Sequence, residues 1–210
     1  MVNKRTKTTP LAILIIFLAL VLWLNNSQAR QVKSLLEMRH KNVVVQQWDL
    51  SCGAAALTTI LNYQHGDTVT EKEVATSLMG RAEYIENPLI VRMREGFSLF
   101  DLKRFADGRG YKGVGYGRLT LDRLVEKAPI IVPIKTNGYN HFVIFRGMLG
   151  NRVLLADPAW GNRTMRIEEF ESSWIDAPEI GRVGFIVNRR DGSAPPNRLA
   201  PNVDEFVMLR

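Results

Sequence analysis

The sequence predicts an α+β fold in which a helical half packs on an antiparallel sheet. Helical spacing of apolar residues dominates up to about residue 127, and short β-branched runs separated by turn residues dominate from residue 130. The chain has 210 residues, 46% of them hydrophobic, which suits one domain with a sizeable core. Its single cysteine, Cys52, excludes an intramolecular disulfide and a multi-thiolate zinc site.

The first 29 residues have the pattern of an export signal. Three bases within residues 1–7 precede the uncharged run Leu11–Leu24, whose 14 residues fall short of the roughly 20 that span a bilayer. Ser27 and Ala29 then supply the small residues of a signal-peptidase site. This pattern favours a cleavable signal, and an uncleaved anchor is the alternative. Either way we expect the rest of the chain to be periplasmic and to meet the membrane only through this segment.

Charge and histidine spacing exclude two further classes. Without residues 1–29, the chain has 25 basic and 21 acidic residues, a net charge of +4. The bases are scattered rather than gathered in a stripe, which argues against nucleic-acid binding. The three histidines lie far apart without metal-ligand spacing. We therefore expect no metal and no cofactor.

The helical half is predicted from four segments. Cys52–Gln64 has the spacing of a buried helix, and Thr70–Gly80 begins with a capping box. Ser98–Ala106 and Thr120–Lys127 have the same amphipathic character. Residues 81–97, which contain an Asn-Pro pair, are expected to form a loop.

The sheet is predicted from apolar runs in the second half of the chain. A glycine-rich strand is expected at 108–117. The β-branched strands are expected to follow it at 130–134, 141–147, 153–156 and 183–187. Residues 191–210, rich in Pro, Ser and Asn, are expected to form a surface C-terminal extension. Its apolar end, from Leu199, either docks a partner or packs back on the core.

Four side chains have the types needed for nucleophilic catalysis. Cys52 opens the first buried helix, where unpaired N–H groups and the helix dipole favour a thiolate. His141 begins an apolar strand, and Asp157 ends the strand joined to it by a hairpin, so the acid is expected to orient the base. Gln46 or Gln47 is expected to donate to an oxyanion. An inert buried thiol is the alternative for Cys52.

These residues occur in strings that resemble the C39 peptidase family. The strings are Gln46 followed after five residues by Cys-Gly-Ala-Ala-Ala-Leu, then His-Phe-Val-Ile from His141, then Asp157-Pro158. The resemblance covers residues 43–185 and implies a papain-like cysteine peptidase domain within residues 30–190. It also implies a role for each residue: Cys52 as nucleophile, His141 as base, Asp157 as its orienting acid and Gln46, rather than Gln47, as oxyanion donor.

The resemblance also implies a class of substrate. Family members process leader peptides of exported peptides, commonly after a double glycine, and stand-alone exported members serve secretion, biofilm and functional-amyloid systems. The export signal favours the stand-alone form. We expect a periplasmic endopeptidase that cleaves an exported protein or peptide, with a secretion or amyloid-export complex as a partner. The alternatives are a non-catalytic peptide-binding module, a transglutaminase or cell-wall amidase, and a structural protein.

Overall fold

The computed structural model describes residues 34–87, 89–93 and 96–209. The export signal predicted for residues 1–29 lies outside these described residues. Within them, no helix combines the length and the apolar character needed to cross a bilayer.

Short helices come first along the chain, and capping residues set where several of them begin. The helices before the first strand are α1 (Leu35–His40), α2 (Cys52–Thr59), α3 (Glu71–Met79), α4 (Ala82–Glu86), α5 (Leu89–Met93) and α6 (Leu99–Gly108). Ser34, Thr70 and Ser98 cap α1, α3 and α6 with reciprocal capping boxes. These boxes satisfy backbone N–H groups that have no partner inside a helix.

The second half of the chain forms the sheet. Its strands are β1 (Tyr111–Tyr116), β2 (Ile130–Thr136), β3 (Tyr139–Leu149), β4 (Arg152–Asp157), β5 (Gly161–Arg166) and β8 (Gly184–Arg189), with the small pair β6 (Asp176–Ala177) and β7 (Gly181–Arg182) apart. The order across the sheet is β1-β8-β2-β3-β4-β5, and neighbours are antiparallel. Three helices accompany the strands: α7 (Leu121–Glu126), α8 (Ile167–Ser173) and α9 (Val203–Met208). The predicted α+β class is confirmed.

Helix α2 packs directly on the sheet. All of its residues are buried, and a π-helical turn, Ile60–Gln64, continues it. Small side chains allow the close approach, since a Cβ added at Gly53 would lie 3.3 Å from the ring of Phe142 on β3. The N-terminal end of α2, with Cys52, is thereby fixed near the start of β3.

Apolar side chains fill both faces of the sheet. Ile131, Ile144 and Phe185 belong to the core beneath α2, α3 and α6. On the opposite face Phe145 packs on Phe170 of α8, with ring centroids 5.6 Å apart. Each fully buried side chain of this size contributes about 1.5–3 kcal/mol to the free energy of folding. Strand β3 is therefore covered on both faces and paired on both edges, which makes it a firm support for the residues at its start.

The prediction of a continuous loop over residues 81–97 is wrong, because α4 and α5 lie there. Tyr84 of α4 is fully buried, and its hydroxyl donates to Asp101 of α6 at 2.5 Å. Helices this short are unstable alone and depend on packing against the rest of the protein. A local pattern does not show that packing.

The C-terminal residues also differ from the predicted surface extension. Residues 191–198 are largely exposed, but Leu199, Phe206 and Leu209 are buried. Phe206 and Leu209 pack on the β4 side chain Leu154. Of the two alternatives for the apolar end, packing back on the core is the one observed.

A buried ion pair fastens this tail to the sheet. Arg146 of β3 donates to both carboxylate oxygens of Glu205, at 2.8 and 3.1 Å, and to the carbonyl of Leu199 at 2.9 Å. Removing one member of such a buried pair leaves the other charge without a partner and lowers the stability of the fold by about 3–5 kcal/mol. The tail is therefore an integral part of the fold.

Candidate active site

Cys52 lies at the very start of α2. Ser51 occupies the N-cap position, but its side chain makes no capping hydrogen bond. The first helical hydrogen bond runs from the N–H of Ala55 to the carbonyl of Ser51, at 2.9 Å. The backbone N–H of Cys52 therefore points out of the helix end, as the first N–H groups of a helix do. The thiol itself is buried, with 5% of the residue exposed.

His141 and Asp157 meet on adjacent strands. His141 is the third residue of β3 and Asp157 the last of β4, and Nε2 of the histidine lies 2.7 Å from Oδ1 of the aspartate. The Cys52 thiol lies near enough to the same imidazole to influence its pKa. Because Nε2 is engaged by Asp157, the ring nitrogen left for the thiol is Nδ1. The structure thus brings three of the four predicted site residues together, and two of them, His141 and Asp157, are hydrogen-bonded.

The imidazole of His141 is held in its charged form. Burial lowers the pKa of His141, but hydrogen bonds to Asp157 and Cys52, together with their charges, outweigh burial and raise it to about 9. The ordinary value is 6.5. His141 is 9% exposed, so water screens these interactions little. The base is therefore an imidazolium at neutral pH.

Asp157 is fully buried and is held by three donors. Besides His141, the N–H of Ala159 donates to Oδ1 at 2.8 Å, and Nε of Arg163 donates to Oδ2 at 2.8 Å. Burial raises the pKa of Asp157, but the hydrogen bonds and the charges of His141 and Arg163 bring it below its ordinary value. The carboxylate is therefore charged and fixed in orientation.

Gln46 is joined to the residue after this acid, and its side-chain amide donates within its own segment. Its backbone N–H donates to the carbonyl of Pro158, next to Asp157, at 2.8 Å. Its side-chain Nε2 donates to the carbonyl of Trp48 at 3.1 Å. Among the described residues its buried Oε1 has no hydrogen-bond partner. The fourth predicted residue therefore lies next to Asp157, with its amide engaged by its own segment.

The remaining candidates lie elsewhere. The side chain of Gln47 is exposed, and only its backbone N–H is engaged, by Glu71. His40 is exposed at the end of α1. His65 is buried against Tyr111, and its Nε2 lies 2.9 Å from the carbonyl of Val187. The prediction of His141 over the other two histidines agrees with this placement.

A cavity of about 280 Å³ opens beside His141. Most of its lining is apolar, and it is formed by Phe97, Ser98, Pro133, Asn140, His141, Phe142 and Ile175. Pockets of this kind accept an apolar side chain of a ligand. The arrangement therefore offers a place for a peptide next to the imidazole.

Two residues in contact with this site were not predicted from the sequence. Arg163 lies in β5, where the sequence predicts no strand because Gly161 indicates only a turn. Glu71 lies in the first turn of α3, where the sequence predicts only a helix start, yet its carboxylate contacts Gln47 and Ser51. No local signal distinguishes either residue, because both contacts join segments distant in sequence.

Solved structures of known proteins share this fold. A double glycine motif protease from an AMS/PCAT transporter, solved with its leader peptide, is 23% identical, covers 70% of this chain and 90% of its own, and gives a TM-score of 0.54. A second structure is the peptidase domain of Streptococcus ComA, a bifunctional ABC transporter of a quorum-sensing pathway. It is 16% identical, covers 72% of this chain and 100% of its own, and gives a TM-score of 0.56. These likenesses confirm the predicted papain-like peptidase fold.

Sequence comparison identifies the family. A Pseudomonas aeruginosa protein named "Probable functional amyloid protease FapD" is 38% identical over 146 residues, which are 69% of this chain and 62% of that protein. The chain thus spans under two thirds of the length of this relative. The model of the peptidase C39 family matches residues 40–177, well over half of the sequence. The chain therefore belongs to the peptidase C39 family.

Proposed function

We propose that this protein is a periplasmic cysteine endopeptidase that cleaves an exported protein or peptide. The observation that carries the proposal is the hydrogen bond between His141 and the buried carboxylate of Asp157, with the Cys52 thiol near enough to the same imidazole to influence its pKa. A nucleophile, a base and a group that orients the base are the parts that covalent catalysis of acyl transfer requires.

The geometry gives each group a step. The Cys52 sulfur, as thiolate, attacks the carbonyl carbon of the peptide bond. The proton on Nδ1 of His141 then passes to the amine that leaves, and an acyl-enzyme thioester remains. His141, now neutral, takes a proton from a water molecule, which attacks the thioester and regenerates the thiolate–imidazolium pair. Asp157 keeps the ring oriented and stabilises its charge throughout.

The oxyanion is assigned two donors. The first is the backbone N–H of Cys52, which has no acceptor within its own helix. The second is Nε2 of Gln46, which leaves the Trp48 carbonyl to bind the substrate oxygen. A single donor of this kind contributes about 10²–10³ in rate in other enzymes.

The proposed substrate is an extended segment of an exported protein. Support comes from the predicted export signal, the apolar cavity beside His141 and the functional-amyloid name of the Pseudomonas relative. An exported amyloid-forming protein is therefore the substrate class we propose, with the export complex that carries it as the partner.

Mass spectrometry of new peptide ends tests this function. Cells that export the full-length chain are compared with cells that export Cys52→Ala, and the N-termini of their periplasmic and secreted proteins are catalogued. We expect termini that arise with the wild type and disappear with Cys52→Ala and His141→Ala. Identical termini in wild type and both variants would rule out the peptidase.

A further inference from the structure

Glu71 is a buried carboxylate attached to the segment between Gln46 and Cys52. It is the first residue of α3 and only 4% exposed. Its two oxygens lie 3.1 and 3.2 Å from the backbone N–H donor of Gln47. The Ser51 hydroxyl, with one hydrogen to donate, lies 2.5 Å from Oε1 and 2.7 Å from the carbonyl of Trp48. Gln47 and Ser51 are the direct neighbours of Gln46 and Cys52. One carboxylate therefore ties together both ends of this segment.

Inside the segment, the Trp48 carbonyl is the acceptor for Gln46 Nε2 at 3.1 Å and for the Ser51 N–H at 3.4 Å. Residues 46–51 contain neither helix nor strand, and Leu50 has a φ of 65°, a conformation that leucine seldom adopts. Outside the segment, the Gln46 N–H is held by the Pro158 carbonyl. Without a regular hydrogen-bond ladder, the positions of both proposed oxyanion donors depend on these few contacts and on Glu71.

Glu71 has no basic partner among the described residues, so it does not serve an ion pair there. A buried carboxylate is costly unless donors satisfy it. Here every donor comes from the segment before the nucleophile, and the N-terminal end of α3 adds a favourable dipole. The carboxylate and the segment therefore hold each other in place.

We propose that Glu71 is the positioning residue of the oxyanion site. By fixing the backbone at Gln47 and the side chain of Ser51, it sets where the Gln46 amide and the Cys52 N–H lie. This inference rests on the proposed function, in which those two groups bind the oxyanion. It assigns Glu71 no contact with the substrate.

Two substitutions in the full-length protein separate positioning from general stability. Glu71→Gln keeps an acceptor for the Gln47 N–H and offers a donor to Ser51 Oγ, whereas Glu71→Leu fills a similar volume with neither. The first readout is the affinity for the peptide aldehyde acetyl-Leu-Leu-argininal. The Cys52 sulfur adds to its aldehyde carbon, and the oxygen, which takes up the thiol proton, occupies the oxyanion site. The second readout is the rate of iodoacetamide alkylation of Cys52, which needs the thiolate but no oxyanion site.

We expect Glu71→Leu to weaken aldehyde binding by about 10- to 100-fold, as small misplacements of catalytic groups do. Glu71→Gln should bind the aldehyde nearly as the wild type does. Both variants should alkylate at the wild-type rate, with the wild-type pH profile, because His141 and Asp157 are untouched.

Three results would overturn the inference. If Glu71→Leu binds the aldehyde as tightly as the wild type, the oxyanion donors do not depend on Glu71. If the alkylation rate of Cys52 falls as much as the aldehyde affinity, the substitution acts on the thiol or on the fold. If the wild type is alkylated rapidly but does not bind the aldehyde, the assignment of the oxyanion site is wrong. Slow alkylation of the wild type would instead reject the proposed function. If Glu71→Leu does not fold by circular dichroism, Glu71→Asp, whose carboxylate is withdrawn by one methylene, is judged by the same two readouts.

Discussion

The two halves of the proposed site are organised to different degrees. On the sheet, Asp157 accepts hydrogen bonds of 2.7–2.8 Å from His141, Ala159 and Arg163. In the segment before α2, the Gln46 amide donates at 3.1 Å to the carbonyl of Trp48, two residues further on. In the mechanism we propose, the half that carries the base is already hydrogen-bonded in its working arrangement, whereas the amide assigned to the oxyanion is engaged by its own segment.

The difference follows from what supports each half. His141 and Asp157 lie on paired strands that are covered on both faces, while Gln46 precedes a stretch without regular structure. Turning the Gln46 amide towards a substrate exchanges one hydrogen bond for another, and a net hydrogen bond is worth only about 0.5–1.5 kcal/mol. We therefore propose that proton transfer is prepared before substrate binds and that oxyanion stabilisation is completed by the substrate.

Removal of the Gln46 side chain is the strongest test of this asymmetry. Gln46→Ala should lower kcat by about 10²–10³ with little change in KM, because the amide acts when the oxyanion forms. Gln47→Ala is the matched control, since its exposed side chain makes no contact in the site and its backbone N–H stays. Steady-state cleavage of a peptide substrate measures both. A larger loss in Gln47→Ala would transfer the oxyanion role to Gln47.

Removal of the Arg163 side chain tests the half that carries the base. Arg163→Gln should lower kcat by about 10-fold, because Asp157 loses a charged partner on Oδ2 and holds His141 less firmly. The charge of Arg163 also lowers the pKa of Asp157. The acidic limb of the pH–rate profile should therefore move to higher pH. Arg166→Gln, at the exposed end of β5, is the control. Superimposable profiles for Arg163→Gln and the wild type would show that Arg163 does not act through Asp157.

The dependence of folding stability on pH gives the smallest expected effect. The pKa of His141 is raised from 6.5 to about 9, so its contribution to stability is complete below about pH 6.5 and is lost as the pH rises through about 9. The pKa of Asp157 is lowered, so its contribution is complete above about pH 4 and is lost as the pH falls through its folded value. Urea unfolding midpoints at a series of pH values measure both limbs. His141→Asn should lose the fall in the unfolding midpoint at alkaline pH. If this fall is unchanged in the variant, another group causes it.

Three of the site residues were predictable because each marks the end of a local element. Cys52 opens a helix, His141 lies near the start of a strand, and Asp157 ends the next strand of the same hairpin. Adjacent antiparallel strands then bring the last two together, which needs no knowledge of distant contacts.

The residues that sequence reasoning missed depend on distant contacts. Arg163 reaches Asp157 through the β4–β5 pairing, and β5 has too weak an alternation to be recognised. Glu71 contacts a segment 20 to 24 positions earlier in the chain. The tail was predicted as surface because its composition is polar, although the buried pair of Arg146 and Glu205 fastens it to the sheet.

The thiolate–imidazolium pair is tested most directly by the alkylation rate of Cys52 as a function of pH, in wild type and His141→Ala. The chain has one cysteine, so all incorporated label reports the same thiol. An ordinary thiol reacts fully only as the pH approaches about 8.5. We predict that at neutral pH the wild type is alkylated faster than His141→Ala. Equally slow alkylation of both proteins at neutral pH would contradict an activated Cys52.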